Sequence, residues 1–299
     1  MKYRITHKTV YNYSQAVGLC QNEARLQPRD FWRQHCETSY FEITPTPMDY
    51  RELVDFFGNR LAYFAIQQPH KQLVVTAISE VSLYPEPPNS GHLMGLSWQA
   101  VRDLFKNIYS QDLTRQQMQA LLDAKQYVLD SPMVVTTAEL AEYAAPSFQP
   151  DRPLVDVVTD LMQRIYHDYI YDPTFTTIAT PLSEVLTHRR GVCQDFAHLA
   201  IGCLRSFGIP ARYISGYMET VPAPGKPRLV GADASHAWFA VYVPDVGWLD
   251  FDPTNNKIPH DQHITLAWGR DYADVTPLKG IAFGGGQHTL SVSVDVMRI

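Results

Sequence analysis

Residues 191–198 read Gly-Val-Cys-Gln-Asp-Phe-Ala-His, and the rest of the chain is organised around this stretch. Apolar side chains follow at the spacings of one helix face, which predicts a buried helix; they are Phe196, Ala200, Cys203 and Phe207. Gly208 and Pro210 indicate where that helix ends. Cys193 therefore falls in the first turn, where unpaired backbone N–H groups and the helix dipole stabilise a thiolate.

Composition narrows the class of protein. The chain has 299 residues, 45% of them apolar and 19% charged, which is typical of a globular protein with room for two domains. A net charge of −6 argues against nucleic acid as the main partner, because phosphate binding requires a basic surface. We find no apolar run of about 18 residues and no secretory leader, so we expect no membrane partner.

The number and spacing of the cysteines indicate a reducing environment. There are four, at positions 20, 36, 193 and 203, and their spacing matches neither a zinc site nor a CxxC motif. We therefore expect free thiols, a cytoplasmic location, and neither a metal nor a cofactor.

The chain divides into two predicted parts of an α+β protein. Residues 1–90 alternate strand-like segments with turn signals and predict a β-sandwich that packs or binds. The proline-rich stretch 85–91 is the predicted linker. Residues 91–287 predict a helical segment followed by an α+β core with its motifs at 151–256. Residues 288–299 alternate like a strand, for which the N-terminal sheet is the candidate partner.

A thiol nucleophile needs a base close by, and the base needs an acceptor that orients it. His236 begins one predicted strand and Asp252 ends the next, so antiparallel pairing carries both toward the same end of a sheet. With a four-residue turn at 244–247, however, Asp252 lies opposite Phe239 and faces away from His236. We therefore predict that this hairpin has an odd-length connection or a bulge.

Each of these residues also has a plainer interpretation. A single cysteine at a helix start is more often a small buried hydrophobe, and a histidine among aromatic residues is more often structural. Asp252 precedes Pro253 and fits a turn that ends a strand. The occurrence of all three in the order helix, strand, strand favours a catalytic site.

The neighbouring polar residues are weaker candidates. His198 is predicted to be packed or hydrogen-bonded, and Asp195 lies too close along the helix to orient His236 readily. Cys203 falls on the apolar stripe and is predicted to be inert. His260 and His263 are placed in a polar loop.

Four motifs in order resemble those of the transglutaminase-like superfamily. They are residues 191–198 (GVCQDFAH), 206–213 (SFGIPARY), 233–238 (DASHAW) and 247–254 (GWLDFDPT). The resemblance implies a papain-related α+β fold and a triad with Cys193 as nucleophile, His236 as general base and acid, and Asp252 orienting the imidazole. One departure is Ala240, where many relatives have Glu; we expect it to alter hydrogen bonding around the sheet and to leave the triad intact.

The front of the chain resembles the β domain that precedes this core in a bacterial subgroup of the family. The matching stretches are residues 7–13 (HKTVYNY), 23–29 (EARLQPR) and 55–59 (DFFGN), together with 270–275 (RDYADV) near the C-terminus.

The implied chemistry is acyl transfer through a Cys193 thioester formed on a peptide or protein substrate. Hydrolysis by a cysteine protease or amidase is favoured over amine transfer by a transglutaminase, because crosslinking members usually carry further domains, which we do not expect here. An inactive peptide-binding scaffold and a metal site of Cys193, His198 and His236 are the alternatives. The proline-rich loop 221–228 is the predicted mobile flap, and the oligomeric state is not predicted.

Overall fold

The chain folds into a curled antiparallel sheet, a set of helices and a second antiparallel sheet, which confirms the α+β class. The computed structural model describes residues 1–84, 95–110, 113–219 and 235–299. The predicted linker at 85–91 and the predicted flap at 221–228 lie outside these ranges. None of the described helices has the length and apolar character that crossing a bilayer requires.

In the described part of the chain, the N-terminal sheet contains seven strands. They are β1 (Lys2–Ala24), β2 (Gln34–Thr44), β3 (Asp49–Val54), β4 (Arg60–Ile66), β5 (His70–Leu83), β12 (Leu278–Gly284) and β13 (His288–Arg298). The first half of β1 pairs with β5 and β13, and its second half pairs with β4 and β12. The sheet is therefore continuous through one long strand, and the last strand of the chain returns to the first.

A register shift lets β1 serve both halves. Tyr3, Ile5 and His7 are buried in the first half, whereas Cys20 and Asn22 are buried in the second, so the buried face changes from odd to even positions. The pairing with β12 shifts between residues 17 and 19, which inserts one extra residue. An inserted residue turns every later side chain to the opposite face of a strand.

Of the described α-helices, α1 to α6 lie in the sequence between the fifth strand of the N-terminal sheet and the start of the second sheet, and α7 follows the second sheet. They are α1 (Trp98–Lys106), α2 (Arg115–Lys125), α3 (Ala138–Ala144), α4 (Leu154–Asp168), α5 (Leu182–His188), α6 (Cys193–Ser206) and α7 (Tyr272–Val275). The predicted helix after residue 193 is thus confirmed as α6. It contacts α3, α4 and α5 and is buried on all sides from Asp195 to Arg205, as expected of a helix in the centre of a core.

The second sheet has the strand order β10-β9-β8-β11. Its strands are β8 (Ala211–Met218), β9 (Ser235–Val243), β10 (Gly247–Phe251) and β11 (His263–Gly269), and α6 packs on β8 and β9. A short parallel ladder of β6 (Ile170–Tyr171) and β7 (Arg190–Gly191) leads the chain into α6.

The β9–β10 hairpin has the irregularity that the sequence requires. Gly247 pairs with Val243, so the connection consists of the three residues 244–246. Phe251 then pairs with Phe239, and the register places position 252 opposite 238, on the same face as His236. The predicted odd-length connection is therefore confirmed.

Buried polar contacts join the N-terminal sheet to the core. The Asn59 side chain donates to the Trp268 carbonyl at 2.9 Å, and Gln34 donates to the Thr265 carbonyl at 2.8 Å. Arg33 forms an ion pair with Asp250. These contacts fix the N-terminal region against β11 and β10, the two edge strands of the second sheet.

Candidate active site

The start of α6 holds Cys193 in a fixed position. The Asp195 carboxylate accepts hydrogen bonds from the Val192 N–H at 2.8 Å and from the Thr176 hydroxyl at 2.7 Å, which caps the helix. Gly191 permits this arrangement, since a Cβ there would lie 2.7 Å from Asp195 Oδ2. Cys193 is half-buried, whereas the other three cysteines are buried. Its thiol is thus the accessible one.

His236 links the thiol to a carboxylate. Its Nε2 lies 2.7 Å from Asp252 Oδ2, and its side chain also hydrogen-bonds Cys193. Because Nε2 is turned to Asp252, Nδ1 is the ring nitrogen left for the thiol. Burial alone would lower the pKa of His236, but the hydrogen bonds and charges of Asp252 and Cys193 raise it to about 10. The site therefore favours the imidazolium.

Asp252 is fully buried and held by several donors. Besides His236, its Oδ2 accepts from the Asn255 side chain at 2.8 Å, and its Oδ1 accepts from the backbone N–H groups of Thr254 and Asn255 at 3.0 and 3.2 Å. Burial would raise the pKa of this carboxyl, but hydrogen bonds from His236 and His263 hold it well below its usual range. Asp252 is therefore a fixed carboxylate.

His263 is the residue that the sequence reasoning misplaced. It begins β11 and is buried, with Nε2 2.9 Å from Asp252 Oδ2, so its assignment to a polar loop was wrong. Burial lowers the pKa of His263, although Asp252 opposes this effect, so the ring donates to Asp252 as a neutral imidazole. The run Ile-Thr-Leu-Ala-Trp after His263 was the available signal for a strand.

Trp238 supports both histidines. Its ring lies 5.9 Å from that of His236 in a stacked arrangement and meets the His263 ring edge-on at 5.1 Å. The indole N–H donates to Asp250 at 3.1 Å, and Asp250 is the partner of Arg33. A segment of the N-terminal region therefore helps to hold the side chain on which His236 rests.

Ala240 lies in the sheet between two charged residues. It pairs across the sheet with Arg212 on one side and Asp250 on the other, and it is fully buried. The carboxylate on this face therefore comes from Asp250 on the neighbouring strand. The hydrogen bond between His236 and Asp252 is present beside this alanine.

The alternative metal site of Cys193, His198 and His236 does not form. His198 accepts a hydrogen bond from the Tyr272 N–H at 3.1 Å and packs on Tyr213, as predicted for a bonded core histidine. Within the described residues, one group of potential ligands gathers, namely His236, Asp252 and His263, with ligand atoms within 4.8 Å of one another. Both histidine nitrogens and the Asn255 amide already approach the same Asp252 oxygen, an arrangement of N–H donors that does not suit a cation.

Two clefts meet at the thiol and the imidazole. The first has a volume of about 330 Å³ and is lined by residues of β1, β13 and the core. The second is of similar size and is lined by Tyr171, Met218, Thr254 and Asn255. Cys193, Ser235 and His236 border both clefts. The reactive pair is thus reached from two sides.

Comparisons with known proteins agree with this arrangement. Residues 3–82 match the family model of the bacterial transglutaminase-like N-terminal region, and residues 141–253 match that of the transglutaminase-like superfamily. The crystal structure of a Cytophaga hutchinsonii protein proposed to be a cysteine protease shares the fold, with a TM-score of 0.73 and 20% identity over 99% of this chain and 90% of that one. The fold and the site thus define a transglutaminase-like protein.

Related sequences match the chain over its whole length as well as over part of it. The chain is 42% identical over 305 residues to Uncharacterized protein Rv2569c of Mycobacterium tuberculosis, covering 99% of this chain and 92% of the relative. Uncharacterized protein ML0607 of Mycobacterium leprae is 33% identical over 305 residues, with 100% and 99% covered. A protein-glutamine gamma-glutamyltransferase of Pseudomonas aeruginosa is 33% identical over 138 residues, 43% of this chain and 20% of that protein. The chain belongs to the transglutaminase-like superfamily.

Proposed function

We propose that this protein is a thiol-dependent hydrolase that cleaves a peptide or amide bond through a Cys193 thioester. Cys193 is the nucleophile, His236 the general acid and base, and Asp252 the residue that orients the imidazole. One observation carries the proposal: the His236 ring bonds on one side to the accessible thiol and on the other to a fully buried carboxylate.

The first half of the reaction forms the thioester. The thiolate attacks the substrate carbonyl carbon, so a C–S bond forms and an electron pair moves to the carbonyl oxygen. The N–H groups of the first turn of α6, including that of Cys193, have no partner within the helix, and we expect them to hold this oxyanion; such donors are each worth about 10²- to 10³-fold in rate. The His236 imidazolium then gives its proton to the leaving nitrogen as the C–N bond breaks.

The second half releases the acyl group. Neutral His236 accepts a proton from water, and the oxygen of that water attacks the thioester carbonyl. The C–S bond breaks, the carboxylic acid leaves, and Cys193 returns to the thiolate form. Asp252 favours the imidazolium that appears in this step, because its charge and its 2.7 Å hydrogen bond remain in place throughout.

Amine transfer is the second candidate function, and the two clefts favour it. An acyl group bound in one cleft leaves the other open to an amine beside the same thiol. The similarity of part of the chain to a protein-glutamine gamma-glutamyltransferase is in line with this alternative. In that case an amine nitrogen replaces water as the nucleophile that resolves the thioester.

Incubation with a peptide library, with and without a primary amine, tests the proposal. We expect cleavage products from the wild-type protein and none from Cys193→Ala. Amine-containing adducts in place of free acids would instead support transglutaminase activity. A folded wild-type protein that turns over no peptide and is not labelled by a cysteine-directed activity probe would indicate an inactive peptide-binding scaffold.

A further inference from the structure

We infer that the N-terminal sheet forms one wall of the acyl-binding cleft and selects a substrate with a large, apolar, uncharged side chain beside the scissile carbonyl. The inference rests on the proposed function, because it places an acyl group next to Cys193. It gives the N-terminal region a direct part in substrate recognition.

The cleft wall comes from the first and last strands of the chain. His7, Thr9 and Tyr11 of β1 line the first cleft together with Leu290 and Val292 of β13. Thr9 pairs with Val292 and Tyr11 with Leu290, so these side chains form a continuous two-strand surface. The core contributes Cys193 and His236 to the same cleft. The reactive pair and the sheet surface therefore face one cavity.

Apolar side chains are exposed on this wall beside the thiol. Leu290 is 53% exposed and Val292 is 51% exposed; both lie in β13, the last strand of the chain. Tyr11, Tyr213, Tyr272 and Leu278 add further aromatic and aliphatic surface. Exposed apolar surface at the rim of a cavity is typical of a binding site for an apolar group.

Apart from the reactive pair Cys193 and His236, the described lining of the cleft offers no charge to pair with a charged substrate. None of its described lining residues is Asp, Glu, Lys or Arg. His7 lies against Tyr217 and Thr9, with hydrogen bonds of 2.9 Å from the Tyr217 hydroxyl to Nδ1 and 3.0 Å between Nε2 and the Thr9 hydroxyl. Burial lowers the pKa of His7 to about 4, so this ring is neutral at pH 7. A charged side chain in the cleft would lose its hydration without gaining a partner.

The position of α6 identifies this cleft as the acyl side. Val192 and Gln194, the neighbours of Cys193 in the chain, line the first cleft and are absent from the lining of the second. A carbonyl oxygen held by the N–H groups at the start of α6 therefore has its acyl group on this side. A volume of about 330 Å³ suits one large side chain rather than several residues.

Peptidyl chloromethyl ketones of the form acetyl-Ala-Ala-X test the inference, with X as Phe, Leu, Glu or Lys. The Cys193 thiolate displaces chloride, so a C–S bond forms as the C–Cl bond breaks, and mass spectrometry gives the rate of modification of Cys193. We expect the Phe and Leu probes to react at least about 10-fold faster than the Glu and Lys probes. Iodoacetamide, which has no such side chain, serves as the reference for the reactivity of the thiol.

Two variants of β13 provide the matched comparison. Val292→Lys puts a cation on the cleft wall. We therefore expect the Phe probe to modify Cys193 about 10-fold or more slowly than in the wild type, and the rate of the Glu probe to rise relative to that of the Phe probe. Ser291→Lys adds the same charge one position away, on the opposite face of the strand, and we expect it to keep the wild-type preference. Both positions are exposed, so the fold tolerates either change.

The outcomes separate the inference from the proposed function. Equal rates for the four probes, or a Val292→Lys variant that behaves like Ser291→Lys, would overturn the inference if iodoacetamide still modifies Cys193 faster than Cys203. A Cys193 that reacts with iodoacetamide no faster than Cys203 would overturn the proposed function, and the inference with it.

Discussion

Two buried histidines line the same cleft, His236 from the core and His7 from the N-terminal sheet, and their pKa values move in opposite directions. His236 belongs to the core, and Asp252 and Cys193 raise its pKa to about 10. His7 belongs to the N-terminal sheet, and burial lowers its pKa to about 4. The partners of His7 are the neutral hydroxyls of Tyr217 and Thr9, whereas His236 faces a carboxylate.

The difference shows what a charged partner contributes to a buried imidazole. Burial acts on both rings in the same direction, toward the neutral form. The carboxylate of Asp252 reverses that effect on one wall, and no charge opposes it on the other. One wall is therefore suited to proton transfer, and the other to binding an uncharged group.

Removing the nucleophile gives the largest expected effect. Cys193→Ala should lower kcat by roughly 10⁶-fold, because no other group forms the thioester. Cys203→Ala, on the same helix, should retain turnover, since its thiol is fully buried. Peptide hydrolysis by the two variants, with circular dichroism to verify folding, checks this prediction. Comparable activity of Cys193→Ala and the wild type would contradict it.

Removing the charge of Asp252 should lower the pKa of His236 and so reduce the difference in pKa between His236 and His7. Asp252→Asn should lower kcat/KM by about 10⁴-fold, because the imidazolium loses its partner and the ring its orientation. Asp245→Asn, an exposed position in the turn of the same hairpin, is the matched control and should retain wild-type rates. A loss of less than about 10-fold in Asp252→Asn would show that another group orients His236.

Replacing His263, the second histidine that hydrogen-bonds Asp252, should have an intermediate effect on the rate. His263→Phe removes a hydrogen bond to a charged group, for which about 1.5–3 kcal/mol, or roughly 10- to 100-fold in kcat, is expected. His263→Gln keeps an N–H donor and should recover part of that loss. A pH–rate profile separates a positioning role from a structural one. Only a residue that positions His236 should, when replaced, shift the limb of the profile that reports the pKa of His236. Identical profiles for the wild type and His263→Phe would exclude this role.

The next prediction concerns the stability of the fold on the N-terminal wall rather than the rate of catalysis. The folded pKa of His7 lies below its unfolded value of about 6.5, so its contribution is complete above pH 6.5 and is lost as the pH falls toward 4. The loss should reach roughly 2 kcal/mol at pH 5. Urea unfolding at pH 7 and pH 5 should show a smaller difference for His7→Gln than for the wild type. His35→Gln, at an exposed position, should show the same difference as the wild type. An equal change in the free energy of unfolding between pH 7 and pH 5 for all three proteins would contradict a lowered pKa of His7.

The pH dependence of His236 should have the opposite sign. Its folded pKa lies above its unfolded value, so its contribution to stability is complete below pH 6.5 and is lost as the pH rises toward 10. Urea unfolding of the wild type and His236→Gln between pH 7 and pH 10 checks this. The two proteins should approach each other in stability toward pH 10, and a constant difference would contradict a raised pKa.

Local patterns in the sequence were enough to predict the catalytic elements. The apolar period after Cys193 and the stop at Gly208 predicted α6, and alternation of side chains predicted the β9–β10 hairpin. The need for His236 and Asp252 to share a face predicted its odd-length connection. Each of these signals lies within about 20 residues of the chain, where the period of helix or strand governs the geometry.

Contacts between distant parts of the chain could not be predicted in this way. His263 reaches Asp252 because β11 pairs with β8, and Arg33 reaches Asp250 across more than 200 positions. The alternation at 288–299 indicated the N-terminal sheet as a candidate partner, but it did not give the register with β1 on which the cleft wall depends. Periodicity does not encode such registers, so the residues that support the site and line its cleft emerged only from the fold.

The most direct test of the account is the rate at which iodoacetamide modifies Cys193 at pH 6, compared with Cys203 in the same folded protein. A thiolate held beside the His236 imidazolium predicts that Cys193 reacts much faster than Cys203, and that Asp252→Asn loses most of this advantage while Asp245→Asn keeps it. Equal rates for the two cysteines, or an unchanged rate in Asp252→Asn, would contradict the claim that Asp252 and His236 activate the thiol.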